Sequence, residues 1–133
     1  MKIHTANCCC GACNITVQEQ PEMISVCHCN NCKKRTGSAF GISTYFEKEN
    51  VTQISGQFHC YRLHHKTQNH DQQRYFCKNC GTTLYWKIST LPNLIGIAGG
   101  CFEDPDFYKP KHSVSHSQKL PWVSLPESWD CHH

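Results

Sequence analysis

The chain has 133 residues, of which 38% are hydrophobic and 17% are charged, and it contains 12 cysteines. This length supplies one ordinary hydrophobic core, so we expect a single domain over residues 1–133. The formal net charge is only +3, and the basic residues are scattered apart from the run at 33–35, which argues against nucleic acid as a partner.

The first seven residues contain no apolar run of signal-peptide length, and no stretch approaches the length of a membrane span. We therefore expect a cytoplasmic protein with no membrane partner. Thiols stay reduced in that compartment, so metal binding is favoured over disulfides as the role of the cysteines. A disulfide scaffold is the alternative for a short chain with this many cysteines.

Short segments of alternating polar and apolar residues, bounded by Gly, Pro, Asn or Asp, predict a mainly β fold. The predicted strands are 14–17, 23–26, 40–46, 59–63, 82–88, 94–98 and 113–114. One short helix is predicted over Asn30–Thr36, because Gly37 suits the left-handed position that ends a helix. The polar stretch 64–73, with His64, His65 and His70, predicts an exposed loop rather than a metal site.

Two cysteine pairs have the spacing of zinc ligands. Cys77 and Cys80 are separated by two residues and followed by Gly81, an arrangement that brings two sulfurs to one ion. Cys8 and Cys10 form a tighter pair, and in an extended segment the intervening cysteine points away from both. These four thiols can close one tetrahedral, structural zinc site.

A third group, Cys27, Cys29 and Cys32, places three thiols within six residues, directly before the basic run at 33–35. If the other four cysteines close one site, this group offers a metal only three ligands. The fourth corner would then hold water or an incoming thiol, as in catalytic zinc sites. The alternative is that Cys60, His28 or another histidine closes the site and makes it structural.

The remaining cysteines and the aromatic residues are assigned to packing. Cys13 and Cys101 have small or apolar neighbours, and Cys60 lies in a predicted strand, so we expect all three to be buried. The aromatic side chains predicted to form the core are Phe40, Phe46, Tyr75, Phe76, Trp86, Trp122 and Trp129.

Three motifs in a fixed order carry a resemblance to a known family. They are Cys8-x-Cys10-Gly11, Cys27-His28-Cys29-x-x-Cys32 and Cys77-x-x-Cys80-Gly81, with further matches at 35–40, 100–105, 112–114 and 117–122. With these motifs the chain resembles the glutathione-dependent formaldehyde-activating enzyme (GFA) family. The segment 64–73 departs from the family pattern, which has a short Gly and Ser turn there.

The resemblance implies an Mss4-like fold of coiled antiparallel β-sheets held together by zinc, with at most short helices. It also implies two Zn²⁺ ions per chain. Cys8, Cys10, Cys77 and Cys80 would hold a structural zinc, and Cys27, Cys29 and Cys32 would hold the reactive one. The implied activity is that of a carbon–sulfur lyase, which joins glutathione and formaldehyde into S-hydroxymethylglutathione or runs the reverse.

The expected partner is glutathione or another small thiol adduct, whose carboxylates need basic residues. The candidates are Lys33, Lys34, Arg35, Arg62 and Arg74. The alternative function is a non-catalytic Mss4-like zinc module, either a glutathione carrier or a chaperone for a protein partner.

Overall fold

The structure, a computed structural model, describes residues 2–66 and 68–133. In this part of the chain it contains eleven strands and one α-helix. The strands are β1 (Ile3–Asn7), β2 (Asn14–Gln18), β3 (Met23–Cys27), β4 (Gly41–Glu47), β5 (Val51–Ser55), β6 (Phe58–His65), β7 (His70–Cys77), β8 (Thr83–Ile88), β9 (Leu94–Ala98), β10 (His112–Val114) and β11 (Asp130–His132). The helix α1 spans Asn30–Thr36, and short 3₁₀ turns lie at Lys48–Asn50, Gly99–Cys101 and His116–Gln118. The predicted mainly β fold is confirmed.

The strands form two sheets. The small sheet has the order β1-β2-β5, and the large sheet has the order β11-β10-β3-β4-β9-β8-β7-β6. Neighbouring strands are antiparallel, except that β10 runs parallel to both β3 and β11. An isolated bridge between Ala6 and Phe102 connects β1 with the segment after β9.

The hydrophobic core is built mainly from β1, β2, β4, β8 and β9 and from the segment that follows β9. Its buried members are Ala6, Cys8, Cys13, Ile15, Val17, Phe46, Cys77, Leu84, Tyr85, Ile95, Ile97, Phe102 and Phe107. Three cysteines therefore belong to the core, and Cys13 is completely buried, as predicted. Strand alternation leaves the opposite face of the large sheet to a different and more polar set of side chains.

Helix α1 has the predicted bounds. Gly37 follows it with a φ of 61°, in the left-handed region, and the N–H of Ser38 donates to the carbonyl of Lys33 at 3.1 Å. At the other end the Cys29 side chain caps the helix and accepts a hydrogen bond from the N–H of Cys32 at 3.3 Å.

The prediction of an exposed loop over 64–73 is wrong. Strand β6 continues to His65 and β7 begins at His70, and both of these histidines are buried. The error has a physical cause, because the inward face of β7 is polar. A strand that faces a polar cavity lacks the apolar alternation by which strands are recognised in a sequence.

Two packing predictions are also wrong. Cys60 is exposed, because β6 is the last strand of the large sheet and its outer positions face solvent. Trp122 lies after the last 3₁₀ turn and is 75% exposed, whereas Trp86 and Phe46 are buried as predicted.

The Gly96→Ala substitution tests the packing of β8 against β9. Gly96 is paired with Trp86 across the strands, and a Cβ at Gly96 would overlap the Trp86 indole. We expect Gly96→Ala to lower the free energy of unfolding by about 1–3 kcal/mol, measured by urea denaturation. Gly100→Ala is the matched control, since a Cβ there meets nothing within 4 Å. Equal stability of the two variants would contradict this packing.

Candidate metal centres and ligand cavity

Four cysteines form the first cluster, which we call the four-cysteine cluster. It comprises Cys8, Cys10, Cys77 and Cys80, whose sulfur atoms all lie within 4.8 Å of one another. The Cys10 sulfur is 3.7 Å from that of Cys8 and 3.8 Å from that of Cys77. Four thiols at this spacing can hold a metal ion.

Two turns present these thiols. The turn between β1 and β2 carries Gly11 with a φ of 83°, and the turn between β7 and β8 carries Gly81 with a φ of 81°. Both values lie in the left-handed region that glycine adopts without strain. In both turns the glycine N–H donates to the carbonyl of the first cysteine, Cys8 or Cys77.

Backbone and hydroxyl donors surround the sulfurs. The N–H of Cys13 donates to the Cys8 sulfur at 3.2 Å, and the N–H of Asn79 donates to the Cys77 sulfur at 3.3 Å. Hydrogen bonds from Thr82, first from its side chain, lower the pKa of Cys80 to about 5. These contacts favour thiolates, the form in which cysteine binds metals.

The other cysteines lie outside this cluster. All twelve thiols are free, and the exposed Cys9 is not among the grouped residues, as expected from its position between Cys8 and Cys10. Burial raises the pKa of Cys13 to about 12 and that of Cys101 to about 11. Both therefore remain neutral thiols near pH 7.

Cys27, Cys29 and Cys32 form the second group, the three-cysteine cluster. Cys27 ends β3, Cys29 caps α1 and Cys32 lies in its first turn. The three sulfurs lie within 4.8 Å of one another, and over residues 2–66 and 68–133 no fourth His, Cys, Asp or Glu completes the group at that distance. This cluster can also hold a metal ion.

The pKa values of the thiols in the three-cysteine cluster are shifted in different directions. Hydrogen bonds from the Cys27 and Cys32 thiols lower the pKa of Cys29 well below its ordinary value, and His65 adds to the effect. The pKa of Cys27 is raised chiefly by its contact with Cys29, and that of Cys32 chiefly by its contact with Cys27. The contacts within the cluster thus favour the thiolate of Cys29, the form in which cysteine binds metals.

Neither histidine near this cluster completes it. His28 points away from the thiols, and its Nε2 lies 2.9 Å from the hydroxyl of Ser113 on β10. His65 Nε2 lies 3.6 Å from the Cys29 sulfur, while the N–H of Gln68 donates to His65 Nδ1 at 3.2 Å. Because Nδ1 accepts, Nε2 carries the ring proton and donates to the sulfur.

The three-cysteine cluster lies in the wall of a cavity on the second face of the large sheet, which we call the central cavity. Its volume is about 220 Å³. Alternate residues of β3, β4, β7 and β8 line it, together with residues of α1. The lining residues include Ser25, Cys27, Cys29, Cys32, Arg35, Ser43, Tyr45, His65, His70, Gln72, Arg74 and Trp86.

Strand β7 contributes a chain of polar side chains to this cavity. The Nε of Arg74 donates to Gln72 Oε1 at 3.0 Å, and the amide nitrogen of Gln72 donates to His70 Nε2 at 3.0 Å. His70 and Gln72 were not predicted as site residues from the sequence. The alternation of His70, Gln72 and Arg74 was the available signal, because residues two apart on a strand share a face.

The basic residues that were predicted to bind ligand carboxylates do not all lie at the central cavity. Arg35 and Arg74 line the central cavity. Lys33 does not, because its Nζ donates to the carbonyl of Gln118 at 2.9 Å. Lys34 and Arg62 are exposed and are not among the cavity residues.

The buried imidazole of His70 predicts a pH effect on stability. Burial lowers the pKa of His70 below 6.5, and His65 and His64 act in the same direction. Below about pH 6.5 the unfolded chain therefore binds more protons at this position than the folded chain, so the free energy of unfolding falls as the pH falls.

We expect His70→Gln to make the urea unfolding free energy fall less steeply between about pH 7 and pH 5 than it does in the wild type. His59→Gln, at an exposed position of β6, is the control and should keep the wild-type slope. An unchanged slope in His70→Gln would contradict burial of the neutral ring.

Comparisons with known proteins agree with this architecture. An uncharacterized lyase of Schizosaccharomyces pombe is 27% identical over 125 residues, covering 81% of this chain and 85% of that protein. A crystal structure of a Rhodobacter sphaeroides protein has the same fold, with a TM-score of 0.60 and 20% identity over 80% of this chain and 96% of that one.

In the described part of the chain, no helix has the length and hydropathy needed to cross a membrane. Residues 3–118 match the family described as glutathione-dependent formaldehyde-activating enzyme. This match takes in both cysteine clusters and all of the strands that line the central cavity. The chain belongs to the GFA family.

Proposed function

We propose that the protein is a zinc-dependent carbon–sulfur lyase that forms or breaks a glutathione adduct such as S-hydroxymethylglutathione. The observation that supports this proposal is the three-cysteine cluster in the wall of the central cavity, where no further His, Cys, Asp or Glu of the described residues lies within 4.8 Å of all three sulfurs. Family membership and the printed name of the Schizosaccharomyces pombe relative, a lyase, support the same class of activity.

The two clusters fit zinc in different ways. Thiolates are soft donors, which select zinc over Mg²⁺ or Ca²⁺. Cys8, Cys10, Cys77 and Cys80 supply a complete tetrahedral set, as structural zinc requires. Cys27, Cys29 and Cys32 supply three ligands, which is the number that a catalytic zinc site uses.

A zinc ion held by the second cluster would supply a Lewis acid that keeps a bound thiol ionised at neutral pH. The chain's own residues shape the surroundings. His65 donates its ring proton to the Cys29 sulfur and so holds that ligand in place. Trp86 and Tyr45 give the cavity part of its aromatic lining.

The proposed reaction needs no reactant besides glutathione and formaldehyde. In the forward direction the glutathione sulfur forms a bond to the formaldehyde carbon, the thiol proton is released, and the carbonyl oxygen takes up a proton. In the reverse direction the hydroxyl proton is lost, the carbonyl double bond re-forms as the carbon–sulfur bond breaks, and the released sulfur takes up a proton. The cavity mainly holds the two reactants together and favours the thiolate.

Serine substitutions should separate the two clusters. We expect Cys77→Ser to abolish soluble folded protein, because Cys77 is buried in the core and accepts two backbone hydrogen bonds as a ligand. We expect Cys29→Ser to keep the fold and one zinc per chain, because serine is itself a good helix cap. Circular dichroism and metal analysis are the measurements.

Cys60→Ser, at an exposed thiol outside both clusters, is the control and should keep the fold and two zinc ions. Equal loss of folding in Cys29→Ser and Cys77→Ser would contradict the division into a structural and a reactive site.

Zinc K-edge X-ray absorption tests the open site. With two zinc ions per chain, we expect an average of fewer than four sulfurs per ion, rising when glutathione is added. A constant four-sulfur environment would refute the open site. Turnover of S-hydroxymethylglutathione by the same sample would establish the lyase, whereas a rise in sulfur coordination without turnover would make the protein a glutathione carrier.

A further inference from the structure

The central cavity contains two arginines and no carboxylate. Arg35 and Arg74 both line it, and no Asp or Glu is among its lining residues. In the part of the chain that the structure describes, neither guanidinium forms a salt bridge. Placing two guanidinium groups in a partly closed cavity costs free energy unless an anion accompanies them.

Arg74 is held by neutral partners alone. It is 7% exposed, its Nε donates to Gln72, and its Nη2 donates to Oδ1 of Asn31 at 3.0 Å. Asn31 lies between Cys29 and Cys32 in sequence, so this bond fixes the guanidinium beside the three-cysteine cluster. The remaining nitrogen, Nη1, makes no hydrogen bond to any described residue and is available to a ligand.

Arg35 reaches the same cavity from α1. Its guanidinium lies over the Trp86 ring, 4.5 Å from the ring centroid, and this stacking fixes the plane of the group. Its Nη2 is buried and has no hydrogen-bond partner. A buried donor of a charged group that lacks a partner is costly, and a bound anion would remove that cost.

The thiolates of the three-cysteine cluster do not account for both arginines. Three thiolates and one Zn²⁺ together carry a charge of −1, which balances one guanidinium and leaves the other without a counter-ion. A guest thiolate would bring one more negative charge. If the guest sulfur alone balances the second arginine, blocking a carboxylate of the ligand should leave its affinity unchanged. If a carboxylate of the ligand balances it, blocking that carboxylate should weaken binding.

We propose that Arg35 and Arg74 bind a carboxylate of the thiol ligand, and that this carboxylate is the glycine end of glutathione. The inference rests on the proposed function and names the substrate group that the cavity recognises. Planar guanidinium groups match a carboxylate in shape as well as in charge. The glutamyl end of glutathione carries an ammonium group beside its carboxylate, and a cavity with two arginines and no carboxylate disfavours that ammonium group.

Calorimetric titration of the zinc-loaded protein tests this assignment. Glutathione is compared with its glycine monoethyl ester, which keeps the thiol and the glutamyl end but loses the glycine charge. We expect the ester to bind roughly 10- to 100-fold more weakly, the range for losing a hydrogen-bonded charge. The comparison uses the wild-type protein, so it does not depend on whether a variant folds.

Two variants locate the effect. Arg74→Gln should weaken glutathione binding and bring the affinities of glutathione and the ester close together. Arg62→Gln, at an exposed position on β6 outside the cavity, is the matched control and should keep the wild-type ratio.

Equal affinity of the wild type for glutathione and the ester would overturn the inference and leave the proposed lyase intact. Binding of neither compound would overturn the proposed function and the inference together. A wild-type preference for glutathione that Arg74→Gln keeps in full would also overturn the assignment, because another group would then hold the carboxylate.

Discussion

The contact that joins the two sheets is the four-cysteine cluster, where one zinc ion would bind thiols of both. Cys8 and Cys10 lie in the turn between two strands of the small sheet. Cys77 ends β7 of the large sheet, and Cys80 lies in the turn that follows. Two of the sulfurs are buried in the hydrophobic core that the sheets share. Zinc in a cysteine site contributes about 10–16 kcal/mol, as much as the whole stability of an ordinary domain of about 5–15 kcal/mol.

If zinc joins the sheets in this way, the second face of the large sheet can carry side chains that do not stabilise the fold. His70, Gln72 and Arg74 bond to one another along β7 and face three thiols across the cavity. Buried polar side chains of this kind, with two arginines and no carboxylate, are typical of a ligand site. Such side chains lower the stability of the free protein and are available to bind a ligand.

The sequence was sufficient for the fold class, the helix Asn30–Thr36 and the local cysteine groups, because thiol spacing and helix-ending glycines act locally. That the pairs Cys8/Cys10 and Cys77/Cys80 come together was implied by the family resemblance, since they are far apart in the chain. It was insufficient for β7, whose inner face is polar and which therefore resembles a solvated loop. It could not choose between Arg35, Arg62 and Arg74, because that choice depends on which strand lies at the sheet edge and which way each side chain faces.

Stepwise removal of metal, followed by amide hydrogen exchange, tests most directly whether the four-cysteine cluster stabilises the fold and the three-cysteine cluster does not. A chelator should take the first zinc from the three-cysteine cluster and leave exchange in β1, β2, β7 and β8 unchanged. Loss of the second zinc should then open all four strands together, since that ion would join the ends of both strand pairs. Increased exchange of these strands on loss of the first zinc, or retained protection after loss of both, would contradict the account.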